Sequence, residues 1–269
     1  MRGKQRFAKT AGPGPGHIGL GRALSKLGFC SRSRAFELIR AGRVRLKGVV
    51  SKNPEARVRL GKDQIEVDGV EVKRAKRIYW MLNKPRGLVT TAEDEQGRET
   101  VYAGLPEGLP WMAPVGRLDK ASEGLLFFTN DSDWAARITA PESHLDKIYH
   151  VQIATVANES LLTALMNGVR TEDGEVLRAK RAARIRTGEK NSWIEIVLDE
   201  GKNRQIRRML EAFDVSVLRL VRVAIGPVEL GQLEKGKARE LTADEKRQMD
   251  RALSEAGLRP KRARCRKYE

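Results

Sequence analysis

The 269-residue sequence predicts an α+β chain: a small N-terminal α/β module, followed by a larger domain whose mixed, mainly antiparallel sheet is flanked by helices. Three observations carry this. Apolar residues recur at helical spacing in a few short stretches and at a spacing of two in several others, some in hairpin-like succession, which favours α+β packing over strict βαβ winding. The length approaches the point at which one core usually stops growing, so two folded units are expected. Charge is also uneven: within a net +17, residues 1–77 hold 20 Lys and Arg against 6 Asp and Glu, residues 259–269 hold 6 against 1, and residues 78–258 are close to neutral.

The elements follow in order. Residues 1–18 are basic and then alternate Gly with Pro, a composition that buries no core and predicts a flexible arm. The module spans 19–74. Leu20, Ala23, Leu24 and Leu27 share a helical face that Gly28 ends, and Ser31 or Ser33 caps a second helix bearing Ala35, Phe36, Leu38 and Ile39, closed by Gly42. Arg43-Val44-Arg45-Leu46 alternates cationic and apolar side chains, Lys47-Gly48 makes a turn, and Asp68-Gly69 centres a tight hairpin over 65–72. A basic linker, 75–78, precedes the larger domain at 79–258.

That domain opens on an apolar strand from Ile78 to Leu82. Gly124-Leu125-Leu126-Phe127-Phe128-Thr129 is nearly all apolar and predicts a strand buried on both faces. In Lys147-Ile148-Tyr149-His150-Val151-Gln152-Ile153, strict alternation puts Lys147, Tyr149, Val151 and Ile153 on one face. A short helix over 161–166 ends at Gly168, and 193–198 forms a strand. Asn203 is placed to cap a helix whose inner stripe is Ile206, Met209, Leu210 and Phe213, with Arg204, Arg207 and Arg208 around its first turns. A strand over 215–223 follows, and Thr242-Ala243-Asp244-Glu245 has the form of a capping box. Residues 259–269 form a basic tail.

A sequence isoelectric point near 10.2 creates a field that attracts polyanions, with RNA, DNA and an anionic membrane as the candidates. The excess at the two ends delegates that attraction to them. Cys30 and Cys265 are far apart and His17, His144 and His150 do not cluster with them, so neither a disulfide framework nor a metal site is suggested. No apolar run approaches the ~20 residues of a membrane span and no secretory signal is evident, which makes the cytoplasm the expected location.

Asp119 stands between a Gly/Pro-rich approach and the buried strand that begins at Gly124. A rigid strand would anchor its carboxylate, and Gly116 would let a substrate come close. A lone Asp before a strand also suits a turn or a cap, so spacing leaves its role open.

Three segments sharpen this. Gly116-Arg117-Leu118-Asp119, Lys147-Ile148-Tyr149 and Asn203-Arg204-Gln205-Ile206-Arg207-Arg208-Met209 resemble, in this order, the signature segments of the pseudouridine synthases. Leu82-Asn83-Lys84-Pro85-Arg86-Gly87 and Glu123-Gly124-Leu125-Leu126 resemble the ribosomal RNA branch, the RsuA/RluB type. The likeness runs from about Tyr79 to Leu241. Upstream, Ser31-Arg32-Ser33-Arg34, Leu38-Ile39-Arg40-Ala41-Gly42-Arg43-Val44 and the Val67-Asp68-Gly69 hairpin resemble the RNA-binding module named after small-subunit ribosomal protein four. Lys47 departs from that pattern, which usually places Asn before the turn glycine.

The resemblance implies isomerisation of a specific uridine in ribosomal RNA to pseudouridine, on naked RNA or on an assembly particle, by a monomer using no cofactor or metal. It implies that Asp119 is the nucleophile. The attacking form is the carboxylate, and because burial disfavours charge a cationic partner is required, a role the resemblance gives to Arg207. Arg117 would help open the RNA, since the target base must leave its stack. Tyr149 would stack on the extruded uracil and exchange a proton late in the reaction, and Leu220 would wall the pocket. Arg32, Arg34, Arg43, Arg45, Lys84 and Arg86 are the candidate phosphate contacts. Two other readings share these features: a catalytically silent RNA-binding factor, and a hydrolase that pairs Asp119 with Glu123.

Overall fold

The structure, a computed structural model, describes residues 17–92 and 94–257. They form two compact units. One runs to Lys76 and takes in Pro110–Met112, and the other comprises Arg77–Leu109 and the chain from Ala113 onward. The expected arm, apart from its last two residues, and the basic tail lie outside the described residues.

In the first unit, Ile18 is strand rather than arm: β1 (Ile18–Gly19) pairs antiparallel with β4 (Arg57–Val58). Helix α1 (Leu20–Lys26) is followed by α2 (Arg32–Arg40), whose N-cap Ser31 accepts a hydrogen bond from Arg34 N at 3.0 Å. Strands β2 (Val44–Leu46), β3 (Val49–Val50), β5 (Ile65–Val67) and β6 (Val70–Glu71) form a sheet in the order β3-β2-β5-β6. Both hairpins turn through two left-handed residues, Lys47 (φ +54°) with Gly48 (φ +78°) and Asp68 (φ +51°) with Gly69 (φ +81°). This hand matches the twist of the strands. Lys47 adopts it without the help an Asn side chain would give, and its Nζ stands 3.2 Å from Asp63. Leu20, Leu24, Leu38, Ile39, Val44 and Ile65 are buried together beneath the helices.

The second unit is built on a nine-stranded sheet. Its strands are β7 (Tyr79–Lys84), β8 (Ala113–Val115), β9 (Glu123–Thr129), β10 (Lys147–Ile153), β13 (Arg181–Thr187), β14 (Ser192–Leu198), β15 (Val217–Ile225), β16 (Val228–Glu229) and β17 (Ala238–Glu240). The main order is β13-β14-β10-β15-β9-β7-β17, with β8 paired to β9 and β16 to β15. Only the β15–β9 pairing is parallel among these, so the sheet is mixed and mainly antiparallel. Strand β9 lies inside it with every residue buried, as the nearly all-apolar Gly124–Thr129 requires. Helices α3 (Ser132–Thr139) and α6 (Ala243–Glu255) contribute Trp134, Ile138, Met249 and Leu253 to a core shared with Met81, Leu125 and Phe127. The capping box of α6 is formed, with Thr242 and Glu245 each bonded to the other's backbone N–H. Helix α4 (Glu159–Asn167) precedes a small hairpin, β11 (Val169–Arg170) with β12 (Val176–Leu177).

Several expectations need correction. Helix α5 (Gln205–Glu211) has Arg204 as its N-cap, in a left-handed conformation with no side-chain cap, so Asn203 does not cap it. Phe213 lies beyond the helix and is exposed, because the chain has already turned at Ala212. The strand expected over 215–223 runs two residues later. Helix α3 and edge strand β13 were not anticipated. Among the described residues no helix is long and apolar enough to cross a membrane.

Candidate active site

The loop between β8 and β9 carries Gly116-Arg117-Leu118-Asp119, and local bonds fix each step of it. Gly116 takes φ +73°, a conformation that glycine adopts without strain. Leu118 is anchored from both sides by the Thr90 hydroxyl, which donates to Leu118 O at 2.7 Å and accepts from Leu118 N at 3.3 Å. The backbone carbonyl of Asp119 accepts from Ser122 N at 3.0 Å and from Lys84 Nζ at 3.1 Å. The main chain of Asp119 is thereby held, while its carboxylate, 38% exposed, faces a cavity of about 550 Å³.

Lys84 was expected to meet phosphate, and the structure overturns that. Its side chain is fully buried at the end of β7, and Nζ donates to Pro85 O, Asp119 O and Ser122 O at 3.1, 3.1 and 2.8 Å. Three carbonyls use up the three donors of an ammonium, which leaves none for RNA. Burial pushes its pKa down to about 8, against the charges of Asp119 and Glu123, which favour the protonated form.

The far side of the cavity is formed by the start of α5 and the turn before it. Buried Gln205 ties that turn together: its Nε2 donates to Glu200 Oε1 at 2.7 Å and Arg178 O at 3.2 Å, and its Oε1 accepts from Lys202 N at 3.3 Å. Arg204 (φ +47°) directs Nη1 to 4.0 Å from Asp119 Oδ2, making it, among the described residues, the cation in ion-pair contact with the carboxylate. The sequence reading gave that place to Arg207. Instead, Arg207 Nη2 donates to Ala121 O at 3.3 Å and Nη1 to Val217 O at 3.5 Å, with Nε buried and unpartnered. Burial lowers its pKa most, Arg204 and Arg86 lower it further, and Asp119 opposes them, so all four charges lie in one electrostatic neighbourhood. Nothing in the residue pattern distinguishes Arg204 from its neighbours, because its placement depends on a left-handed backbone at a non-glycine position.

A sheet face closes the third side. In β10 the alternation sends Lys147 and Tyr149 the same way, Arg222 of β15 is the cross-strand partner of Tyr149, and Leu220 is that of Val151. Lys147, Tyr149, Leu220 and Arg222 all line the cavity that Asp119 faces. Tyr149, Leu220 and Arg222 are buried, and Arg222 Nε donates to Leu125 O at 2.8 Å. Arg117 is exposed and also lines the cavity. The structure thus gathers Asp119, Tyr149, Arg207, Arg117 and Leu220 around one space.

Glu123 is not part of that space. It is 3% exposed and held by Arg219 at 3.1 Å and by Lys235. Burial alone would raise its pKa, but the bonds and charges of these two cations outweigh burial and hold it below the usual carboxylate range. A carboxylate so enclosed cannot pair with Asp119 over a sugar, which removes the hydrolase reading. In the first unit, Arg32, Arg34, Arg43 and Arg45 are exposed, although Arg34 is paired with Glu37 at 2.8 Å and Arg43 with Asp68 at 2.5 Å. Arg86, in the second unit, is exposed. Among the described residues there is no group of three or more His, Cys, Asp and Glu side chains suited to holding a metal.

The family described as RNA pseudouridylate synthase matches residues 78–212, and the S4 domain matches residues 20–65. The chain is 36% identical over 242 residues to ribosomal large subunit pseudouridine synthase B of Bacillus subtilis, covering 88% of this chain and 97% of that one. It is likewise 36% identical over 237 residues to an uncharacterized RNA pseudouridine synthase of Aquifex aeolicus, covering 88% and 95% of the two chains. A crystal structure of a pseudouridylate synthase superposes with a TM-score of 0.61 at 29% identity, covering 86% of this chain and 99% of that one.

Proposed function

We propose that this chain, which belongs to the RNA pseudouridylate synthase family, isomerises a specific uridine of ribosomal RNA to pseudouridine with Asp119 as its nucleophile. The observation that carries the reading is a half-exposed carboxylate opening on a cavity, with Arg204 at 4.0 Å and Tyr149 and Leu220 on the wall. A relative named as a large-subunit synthase makes large-subunit RNA the first substrate to try. The protein would act as a monomer in the cytoplasm.

The chemistry sets what each group must do. The bond between uracil N1 and ribose C1′ breaks with its electron pair passing to the ring. The ring then turns, C5 bonds to C1′, the C5 proton leaves and N1 takes one up, so the sum is an isomerisation. In between, the Asp119 carboxylate holds C1′ or C6 covalently, a nucleophilic role that needs the ionised form. Arg204 stands at ion-pair distance from that carboxylate, and Arg207 shares its electrostatic neighbourhood. The base must first leave its stack, at a cost of a few kcal/mol, and Arg117, exposed where it lines the cavity, is placed to fill the gap or to hold a phosphate. Tyr149 offers a ring on which the uracil stacks, an interaction worth ~1–3 kcal/mol, and Leu220 excludes water beside it.

The test is release of tritium from ribosomal RNA labelled at uridine C5, for wild type and Asp119→Asn. Release from wild type alone is expected. Equal release from both would remove Asp119 from the mechanism, whereas RNA binding without any release would leave the silent RNA-binding factor as the function.

A further inference from the structure

The cavity is lined by more cations than its two carboxylates, Asp119 and Glu200, account for. Arg222 is 6% exposed, with Nε spent on Leu125 O and Nη2 buried without a partner. Buried side-chain atoms of three residues lining this cavity, Ser122, Arg207 and Arg222, have no hydrogen-bond partner among the described residues. Lys147 stands two residues before Tyr149 on the same strand face, and among the described residues its Nζ donates to the carbonyl of Asp199, at 3.4 Å. Burial lowers its pKa most and the charge of Arg222 lowers it further, while Asp199, Asp146 and Glu200 oppose without prevailing. Those carboxylates have other company: Asp146 bonds to Lys180 at 2.8 Å, Glu200 stands 3.4 Å from Lys202 and accepts from Gln205 at 2.7 Å, and Asp199 stands 3.9 Å from His144.

Two mutually repelling cations thus border the surface offered to the base. Burying them so is unfavourable unless a bound group supplies negative charge. Backbone phosphates, joined to a chain too large for the cavity, belong nearer the exposed Arg117 and Arg204. A uracil ring stacked on Tyr149, as in the function proposed above, would lie closer to these cations, and its charge changes during the reaction. When the N1–C1′ bond breaks, its electron pair spreads from N1 onto O2 and O4. If the carboxylate instead adds to C6 first, the pair displaced from the C5–C6 double bond spreads onto O4.

We propose that Lys147 and Arg222 donate to the carbonyl oxygens of the extruded uracil and stabilise the negative charge that the ring acquires, acting as catalytic residues additional to Asp119. This rests on the function proposed above. Donors fixed in advance around developing charge act on the chemical step rather than on binding.

The experiment measures single-turnover tritium release at saturating enzyme, together with RNA affinity and thermal stability, for wild type, Lys147→Met, Lys147→Arg and Arg222→Gln. Lys147→Met and Arg222→Gln are expected to slow release about 10- to 1,000-fold, with RNA affinity within about twofold of wild type. Lys147→Arg, which keeps the charge, should recover most of the rate. An unchanged saturated rate with weakened, less salt-dependent RNA binding would make these residues phosphate anchors and overturn the inference. Equal losses in Lys147→Met and Lys147→Arg, tracking a lowered melting temperature, would make them structural and overturn it too. Absence of release from wild type would overturn the proposed function itself.

Discussion

Arg204 Nη1 stands 4.0 Å from Asp119 Oδ2, and the pair is open to solvent on both sides, with side chains 51% and 38% exposed. Exposed pairs of this kind contribute little to folding, typically below about 1 kcal/mol, so under the function proposed above the contact's value would lie in the charge it keeps beside the nucleophile. Arg207 is placed differently, with its guanidinium turned to the carbonyls of Ala121 and Val217. One arginine faces the Asp119 carboxylate and the other joins helix α5 to the Asp119 loop and to strand β15.

That division predicts separable effects. Arg204→Gln should lower turnover about tenfold or more and leave the melting temperature nearly unchanged. Arg207→Gln should lower both, losing about 1–3 kcal/mol of stability through unsatisfied partners. Turnover and thermal denaturation of the two variants side by side provide the check, and an Arg204→Gln enzyme with wild-type turnover would refute the division.

Lys84 gives stability a pH dependence whose sign follows from its burial. Its folded pKa is pushed down to about 8, while the unfolded chain keeps the ordinary lysine value near 10.5. Below about 8 both states hold the proton and the cost of burying the charge is fully present. Between the two values only the unfolded state holds it, so the contribution of this group to stability rises with pH. Denaturation of wild type and Lys84→Met at about pH 7 and about pH 9.5 should show the difference moving in favour of wild type at the higher pH. The substitution should also cost up to about a hundredfold in turnover, because it removes one of the two hydrogen bonds that hold the Asp119 carbonyl and loosens the carboxylate.

Where side-chain period alone sets a residue's direction, the sequence was legible. Strict alternation over Lys147–Ile153 put Tyr149 on the inner face, and the nearly all-apolar stretch Gly124–Thr129 marked the strand buried on both sides. The Asp-Gly turn and the Thr-x-x-Glu cap read correctly because each is a local bonding pattern. Strand β13 was not read, since Arg181, Arg184 and Arg186 give a mostly exposed edge strand little apolar signal. The role of Lys84 was misread because a lysine beside an arginine suggests a phosphate contact, and only the tertiary fold places three carbonyls around its Nζ. Arg204 was passed over for the same reason: its reach depends on a left-handed residue that no composition signals.

Gly124 is required by a close approach of backbones. It takes φ +101°, and a Cβ placed there would lie 2.2 Å from the carbonyl oxygen of Arg222, where β9 and β15 run parallel. Neither strand has room to yield, because β9 is buried throughout and Arg222 is held by Leu125 O. Gly124→Ala should therefore cost about 2–4 kcal/mol, combining overpacking with an unfavourable backbone conformation. Urea denaturation measures it, and a loss under about 1 kcal/mol would mean that the two strands separate more easily than their packing implies.

If the exposed arginines contact RNA, its affinity will depend on salt. Each phosphate neutralised by a side chain releases counterions, so the slope of log affinity against log salt counts contacts, at ~0.7–0.9 per phosphate depending on the RNA's form. Arg32 and Arg86 are exposed, whereas Arg43 is spent in part on Asp68. Arg32→Gln and Arg86→Gln should each reduce the slope by about 0.7–0.9, and Arg43→Gln by less, because its guanidinium must leave an ion pair to reach RNA. Lys84→Met should leave the slope unchanged, its ammonium being closed off from any phosphate. Filter-binding titrations across a range of salt concentrations test all four variants. A slope that falls as much for Lys84→Met as for Arg86→Gln would return the buried lysine to the RNA interface.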